Sequence, residues 1–344
     1  MELQQFLSRP PGSGSLPGQN YLKNRLVSKL AALRNVVITA HRGWGKQMLL
    51  KEVGYNLLEL QNEIRLFYFD MNLWDTPSSF LARYARELCR STSTKLPGQL
   101  RSGTLDYKLL DLAETIASRK KILLIIFISN FQYARQFENY HQVLRKFMLC
   151  WRKHKSCTYC ISGHNHFIFK QLFELPSSPL QGFGMLYCPF RGPSRNYIPH
   201  IRGLFLNGNK MIETSAARSI SVKTDNHLFY LQLLSWNSFL RTPQTCTVSM
   251  VEEAFEHLVY QYKLHIENIL KNLTRKQLNY LRALSTPVGK MCSRESLENF
   301  MLGSSSNVAR IKESLEMKGI IEIQPNYISI IDPILSYWIN KHFS

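Results

Sequence analysis

An α/β fold with a parallel sheet, followed by a helical region and a small C-terminal domain of helices and a hairpin, is predicted by three observations. Short apolar, β-branched runs alternate with segments of helical period from residue 21 to about residue 162, which implies a sheet covered by helices on both faces. From about residue 190 the strand pattern stops and helical periodicity continues alone. The last 70 or so residues read as three helices and a hairpin, the arrangement of a winged helix. With 344 residues, the chain is too long for one ordinary core. We divide it into a linker over 1–15, an α/β domain over 16–190, a helical lid over 191–270 and a winged helix over 271–344.

Each element has its own justification. Residues 9–20 are rich in Pro, Gly and Ser and read as a loop. Leu22, Leu26, Leu30 and Leu33 then recur at helical spacing. Val36–Thr39 is a β-branched strand, a Gly-containing turn follows, and 47–60 reads as a helix. Residues 66–69 form a second strand ending at Asp70, 80–90 a helix, 91–105 a polar loop and 107–118 another helix. The third strand, 122–128, is the longest apolar run in the chain, far short of the ~18 residues of a membrane span. A helix over 140–154 leads to a fourth strand at 158–162. Residues 197–206, 212–220 and 227–240 read as helices without strands between them, and a further helix spans about 248–270. In the last domain, 274–284 is a helix with Thr274 as N-cap, and 293–301 a second. A third, 305–318, carries Val308, Ile311 and Leu315 on one face and stops at Gly319. Residues 320–323 and 327–330 pair about a turn at Pro325 and Asn326.

Composition bounds the function. Charged residues at 19% and aromatics at 12% fit a globular chain rather than a disordered one. Residues 1–8 lack a basic stretch followed by an apolar one, so no signal peptide is expected. Seven cysteines, an odd number in a large chain, predict reduced thiols and a cytoplasmic setting, and the short apolar runs predict no membrane partner. The net charge of +19 is concentrated: residues 115–224 hold 16 Lys and Arg against three acids, Glu138, Glu174 and Glu213. That surplus points to DNA or another polyanion as partner. The winged helix, with ten bases and seven acids over 265–344, contributes little to it.

The chemistry concentrates at strand ends. Between the first strand and its helix stands Ala40-His41-Arg42-Gly43-Trp44-Gly45-Lys46-Gln47. A phosphate-binding loop belongs at this place, where backbone amides, a helix N-terminus and one lysine hold phosphates. Gly43 and Gly45 permit close backbone approach, Lys46 supplies charge, and Arg42 is a second cation in the loop. Ala40 stands where a first glycine is usual, and Gln47 where Ser or Thr would ligate Mg²⁺. The third strand ends in Ser129-Asn130-Phe131-Gln132, so both acids that would orient the Mg²⁺ shell and activate water are missing. Asp70 is the one nearby carboxylate, and a strand-end turn also accounts for it.

With these residues the chain resembles the archaeal-type ATPases, a branch related to the STAND and AAA+ proteins and common in archaea and Bacteroidetes. The resemblance runs from about residue 16 to 340. An opening Phe-x-Gly-Arg-Glu phrase is matched by Leu16-Pro17-Gly18-Gln19-Asn20, the phosphate loop by residues 41–47, and an Asp-Glu-Phe-Gln phrase by Ser129-Asn130-Phe131-Gln132. A strand ending in Ser-Gly-Ser is similar to Ile161-Ser162-Gly163-His164, which gives Ser162 a sensor-like place. Pro179-Leu180-Gln181-Gly182-Phe183 resembles a Pro-Leu-x-Gly-Arg phrase, Asn226-His227-Leu228-Phe229-Tyr230-Leu231-Gln232 a lid phrase, and Asp332-Pro333 with Trp338 the family's C-terminal pattern. The resemblance implies a P-loop NTPase parallel sheet with a helical lid and a C-terminal winged helix. It implies ATP as ligand through Lys46 and the loop amides. The replaced Mg²⁺ hydroxyl, strand-end acids and phrase arginines count against Mg²⁺ and against efficient turnover, as in a degenerate member that serves as a binding or regulatory module. An active ATPase with a composite site, or a non-catalytic structural subunit, are the alternatives.

Three weaker signals remain. Cys157 and Cys160, with Cys150, His154 and His164 nearby, suggest zinc, but side chains three apart on a strand face opposite ways, so buried structural cysteines and no metal are expected. Arg145, Lys146, Arg152, Lys153 and Lys155 surround Trp151 and suit a phosphate backbone, or else a solvated helix end with the Trp in the core. Ser306, Asn307 and Arg310 open the third helix of the winged helix and suit a DNA groove, whereas Glu313 and Glu316 would repel phosphate. The other reading of that surface is a winged helix that packs on protein and contacts its own lid, and a protein partner or a second copy of the chain is a further expected partner class.

Overall fold

The computed structural model describes residues 18–96, 107–188, 194–285, 293–324 and 327–343. The linker over 1–15, Leu16 and Pro17 of the opening phrase, most of the polar loop, Cys292 and the turn at Pro325 and Asn326 lie outside the described residues. Two compact units divide the chain, Gln19–Phe190 and Arg191–Ser344.

In the first unit, α1 (Asn20–Ala31), β1 (Val36–Thr39), α2 (Lys46–Leu60), β2 (Ile64–Asp70), α3 (Pro77–Ser91), α4 (Leu112–Lys120), β3 (Leu123–Ser129), α5 (Tyr140–Trp151), β4 (Cys157–Gly163), α6 (His166–Phe173) and β5 (Met185–Tyr187) follow one another. The sheet order is β2-β3-β4-β1-β5, and every pairing is parallel. Central β4 is buried at every position, whereas edge strand β2 alternates, with Phe67 and Phe69 packed under Phe80 and Tyr84 of α3 and Tyr68 exposed. Position in the sheet thus decides which strand reads as a continuous apolar run and which as an alternation. Register aligns the strand ends: Asp70 lies opposite Ser129, and Thr39 opposite Gly163.

Several elements depart from expectation for local reasons. The α3 helix starts earlier than predicted because Thr76 and Ser79 form a capping box with Pro77 in the first turn. The helix expected from residue 107 opens as a 3₁₀ turn, Tyr107–Asp111, and Phe131–Gln136 forms another. Neither α6 nor β5 was expected. The first has only eight residues, too few to show a clear period, although Asn165 caps it by accepting from the Ile168 amide at 3.0 Å. Three residues of β5 are too few to show alternation. It reaches β1 past Gly184, where a Cβ would lie 2.5 Å from the Asn35 carbonyl oxygen.

In the second unit, α7 (Ser194–Asn207), β6 (Met211–Ile212), α8 (Thr214–Lys223), α9 (Leu228–Arg241), β7 (Thr245–Cys246), α10 (Val248–Gln261) and α11 (Lys263–Lys271) come first. Then α12 (Arg275–Ser285), α13 (Arg294–Asn299), α14 (Ser305–Met317), β8 (Ile321–Ile323), β9 (Ile328–Ile330) and α15 (Pro333–Phe343) complete it. The expectation of helices without strands is corrected by β6 and β7, a parallel pair of two rungs, Met211 with Thr245 and Ile212 with Cys246. Two-residue strands carry no period to read. The single helix expected over 248–270 breaks at Tyr262. Thr274 caps α12 as predicted, accepting from the Gln277 amide at 3.3 Å. Gly319 ends α14 with φ +69°, and β8 and β9 pair antiparallel. One apolar core runs from Ile201, Leu231 and Leu258 through Tyr280 and Leu315 to Ile334.

The last helix, α15, was also not expected, and its cap explains the Asp332-Pro333 phrase. Asp332 Oδ1 accepts from the amides of Ile334 at 2.8 Å and Leu335 at 3.0 Å, while Oδ2 accepts from the Tyr230 hydroxyl at 2.7 Å. Asp332 thus joins the C-terminal phrase to the lid phrase. Asp332→Ala removes the cap and strands a part-buried hydroxyl. We expect it to lower unfolding free energy by about 2–3 kcal/mol, and Tyr230→Phe by less, in urea titration. No described helix is long and apolar enough to cross a membrane.

Candidate nucleotide-binding site

The loop after β1 has the backbone a phosphate cradle requires. Gly43 and Gly45 take φ of +79° and +85°, in the left-handed region that favours glycine. Ala40 is not among the positive-φ residues and its amide donates to the Gly163 carbonyl at 3.2 Å, so a first glycine is not needed here. His41 and Trp44 turn inward and meet edge to face at 4.7 Å, which braces the loop. Gly45 is the N-cap of α2 and Lys46 its first residue, so the unpaired amides of the helix start and the lysine occupy the same end.

Lys46 Nζ donates to the Gly163 carbonyl at 2.5 Å. Burial pulls its pKa down to about 8. Close by, burial first and then the charges of Arg42, Lys46 and His41 pull His164 down to about 4. Both shifts depress the folded pKa, so the unfolded chain binds more protons between pH 4 and 6.5 for His164 and between pH 8 and 10.5 for Lys46. Stability is therefore expected to rise with pH across both windows. Urea midpoints against pH check this, with His164→Gln flattening the acid limb and Lys46→Met the alkaline one.

A cleft of about 520 Å³ opens beside Lys46. Lys46, Gln47, Asp70, Ser129, Asn130 and Ser162 line its polar part, and Tyr55, Tyr68 and Phe127 an apolar wall. The strand-end residues singled out in the sequence are thus brought together, with Arg42 and Gly43 exposed on the loop above the helix start. Asp70 enters by register: its Oδ1 accepts from Ser129 Oγ and from Asn130 Nδ2, each at 2.7 Å. Among the described residues lining this cleft, Asp70 is the sole carboxylate. Sequence reasoning missed the aromatic wall, because Tyr55 and Tyr68 come from a helix and an edge strand that only the fold brings together.

The Phe131-Gln132 half of the strand-end phrase has a structural reason to persist. Phe131 is in the core, and Gln132 Nε2 meets His164 Nδ1 at 2.9 Å while its Oε1 accepts from the His164 amide at 3.4 Å. This pair fastens the turn after β3 to the end of β4.

The cations around Trp151 do not line the cleft. Arg145, Lys146, Arg152, Lys153 and Lys155 are exposed on the outer face of α5 and the turn after it. Lys146 sits over the Tyr107 ring at 4.6 Å, and Arg152 donates to the Gln181 carbonyl at 3.2 Å. Trp151 is 2% exposed, in the core among Phe131, Phe147, Tyr159 and Phe183. In the winged helix Arg310 is exposed, and Asn307 spends its side-chain amide on the Leu302 carbonyl at 2.5 Å. Cys89, Cys150, Cys157, Cys160, Cys188 and Cys246 are free thiols.

A family model described as a probable winged helix domain matches residues 264–341. No curated protein sequence matches the chain significantly. Among solved structures, the chain is similar to the Walker-type ATPase of Pyrococcus abyssi, with a TM-score of 0.73 and 13% identity over 97% of this chain and 99% of that one. It is similar to the Aeropyrum pernix ORC2 protein, solved as ADPNP–ADP complexes, with a TM-score of 0.66 and 11% identity over 98% of this chain and 95% of that one. It is also similar to Aeropyrum pernix ORC1 in complex with DNA, with a TM-score of 0.55 and 13% identity over 99% and 96% of the two chains. At these identities the likeness shows the fold: a P-loop ATPase-type parallel sheet with a C-terminal winged helix.

Proposed function

We propose that the protein binds ATP at the loop over 40–47, turns it over poorly, and works as a regulatory module that holds DNA or another polyanion. One observation carries this reading. The loop has two left-handed glycines, a helix start and Lys46, whereas β3 ends at Ser129, followed by Asn130, rather than in acids. Phosphate binding needs the first set; activation of water needs the second. The loop geometry supports ATP. The uncharged strand end and Gln47 argue against tight Mg²⁺ binding. The exposed cations of α5 and the following turn are the proposed polyanion face, with Asn307 and Arg310 of the winged helix a second contact. That ORC1 of Aeropyrum pernix was solved with DNA and ORC2 as nucleotide complexes is consistent with this reading. A protein partner or a second copy is the alternative for the winged helix.

A second reading is favoured by Asp70, which Ser129 and Asn130 hold in the cleft with Lys46. In that reading Asp70 supplies the missing carboxylate from the neighbouring strand, and the protein is an ATPase with an atypical site. Phosphate release separates the two. Turnover near background in wild type supports the binding module, whereas turnover that Asp70→Asn abolishes supports the ATPase.

The polyanion face is tested by fluorescence anisotropy with duplex DNA over a salt series. Arg152→Glu together with Lys153→Glu is expected to weaken binding by ~10-fold or more and to reduce the salt slope by about 2. Unchanged affinity and slope would remove these cations from the interface.

A further inference from the structure

We infer that Glu114, His154 and Cys157 form a binding site for a borderline-soft divalent cation of the Zn²⁺ class. One ligand atom from each lies within 4.8 Å of the others. The three come from α4, the turn after α5 and the first residue of β4, so a cation held there would tie three elements together. A thiol, an imidazole and a carboxylate select Zn²⁺ or Co²⁺ over Mg²⁺ or Ca²⁺, which prefer all-oxygen sets. The pairing suggested by the sequence, Cys157 with Cys160, is not this site. Cys160 lies three residues further on the same strand, where side chains have switched faces.

The surroundings already hold the ligands in place. Both Glu114 carboxylate oxygens accept from the Ser156 amide at 3.0 Å. The His154 ring is fixed between the Tyr159 hydroxyl, 2.7 Å from Nδ1, and Asp111 Oδ1, 3.1 Å from Nε2. Outer partners of this kind orient a ligating histidine. The side chain of His154 is 2% exposed and that of Asp111 52%, so Asp111 is the partner free to turn. A turn of Asp111 would free Nε2 for the cation while Tyr159 keeps its bond to Nδ1. Binding replaces the thiol proton of Cys157 with the metal and releases that proton to solvent. The bound cation would fix the turn that carries Arg152, Lys153 and Lys155.

The test is Co²⁺ titration of the full, reduced, metal-stripped chain, followed by absorption. The expected result is one equivalent bound, with a thiolate-to-cobalt charge-transfer band that Zn²⁺ removes. Cys157→Ser should abolish the band and Cys160→Ser should leave it intact. Glu114→Gln, which keeps the thiol, should weaken Co²⁺ binding by ~10-fold or more. A wild type without the band, or a band that survives Cys157→Ser, overturns the site and leaves a hydrogen-bonded pin. Where Cys157→Ser does not fold, the Glu114→Gln affinity decides: a value equal to wild type overturns the site.

Discussion

Lys46→Ala is expected to weaken ATP binding by ~100-fold or more, read by isothermal titration. The lysine is the first residue of α2, behind two left-handed glycines, and its ammonium lies in the cleft against the end of β4. Charge-assisted hydrogen bonds to phosphate contribute about 1.5–3 kcal/mol each, and about 3 kcal/mol is two decades in affinity. The substitution should leave the fold intact, for two reasons. Burial disfavours the charged amine, as its lowered pKa records, so alanine relieves a desolvation penalty. The Gly163 carbonyl also keeps a second donor, the Ala40 amide. Lost binding with an unchanged urea midpoint would therefore locate ATP at this loop. ATP binding that survives Lys46→Ala unchanged would exclude the loop as the phosphate site.

Trp151→Ala is expected to lower stability by about 4 kcal/mol, a large part of the 5–15 kcal/mol typical of a domain. The indole has four aromatic neighbours with ring centroids between 4.9 and 6.3 Å away, and its removal opens a cavity beneath the sheet. Its sequence neighbours Arg152 and Lys153 are exposed, and their reversal to glutamate should move the urea midpoint little while changing DNA affinity. The contrast separates the two meanings of a tryptophan among basic residues. If Trp151→Ala leaves stability unchanged, the ring is not the core element its burial describes.

Much of the fold was legible because its signals are local. The β-branched run of β1, the glycines and lysine after it and the apolar β3 each fit within one short window. The periodicity of α14 and its glycine stop do too. What escaped depends on partners distant in sequence. The β6 and β7 strands exist through each other, Met211 pairing with Thr245 and Ile212 with Cys246 across more than thirty residues of chain, and two residues hold no period. The β5 strand exists because Gly184 lets it reach β1. At the site, the lysine and the strand end were readable, but the role of Asp70 beside Ser129 and Asn130 required the register of β2 on β3. Sequence reading separated Cys157 from Cys160 by strand alternation and placed His154 nearby, but had no means to bring in Glu114. The fold sets Cys157 beside both Glu114 and His154. The motif fragments that persist, Gln132 and Asp332, turn out to be fasteners, each bonded to a residue from a different element.

The Gly163 carbonyl receives both the Ala40 amide and the Lys46 ammonium. That one oxygen acts as an internal competitor for the lysine. An ammonium has three donors, so an anion arriving at the loop would either share Lys46 with this oxygen or draw it away, and in the second case the measured affinity is the intrinsic one reduced by the free energy of undocking. The same carbonyl ends the strand whose next residue, His164, is clasped by Gln132. Freeing the lysine would leave that oxygen to the Ala40 amide, so the strand end keeps one of its two donors whether or not the loop is occupied.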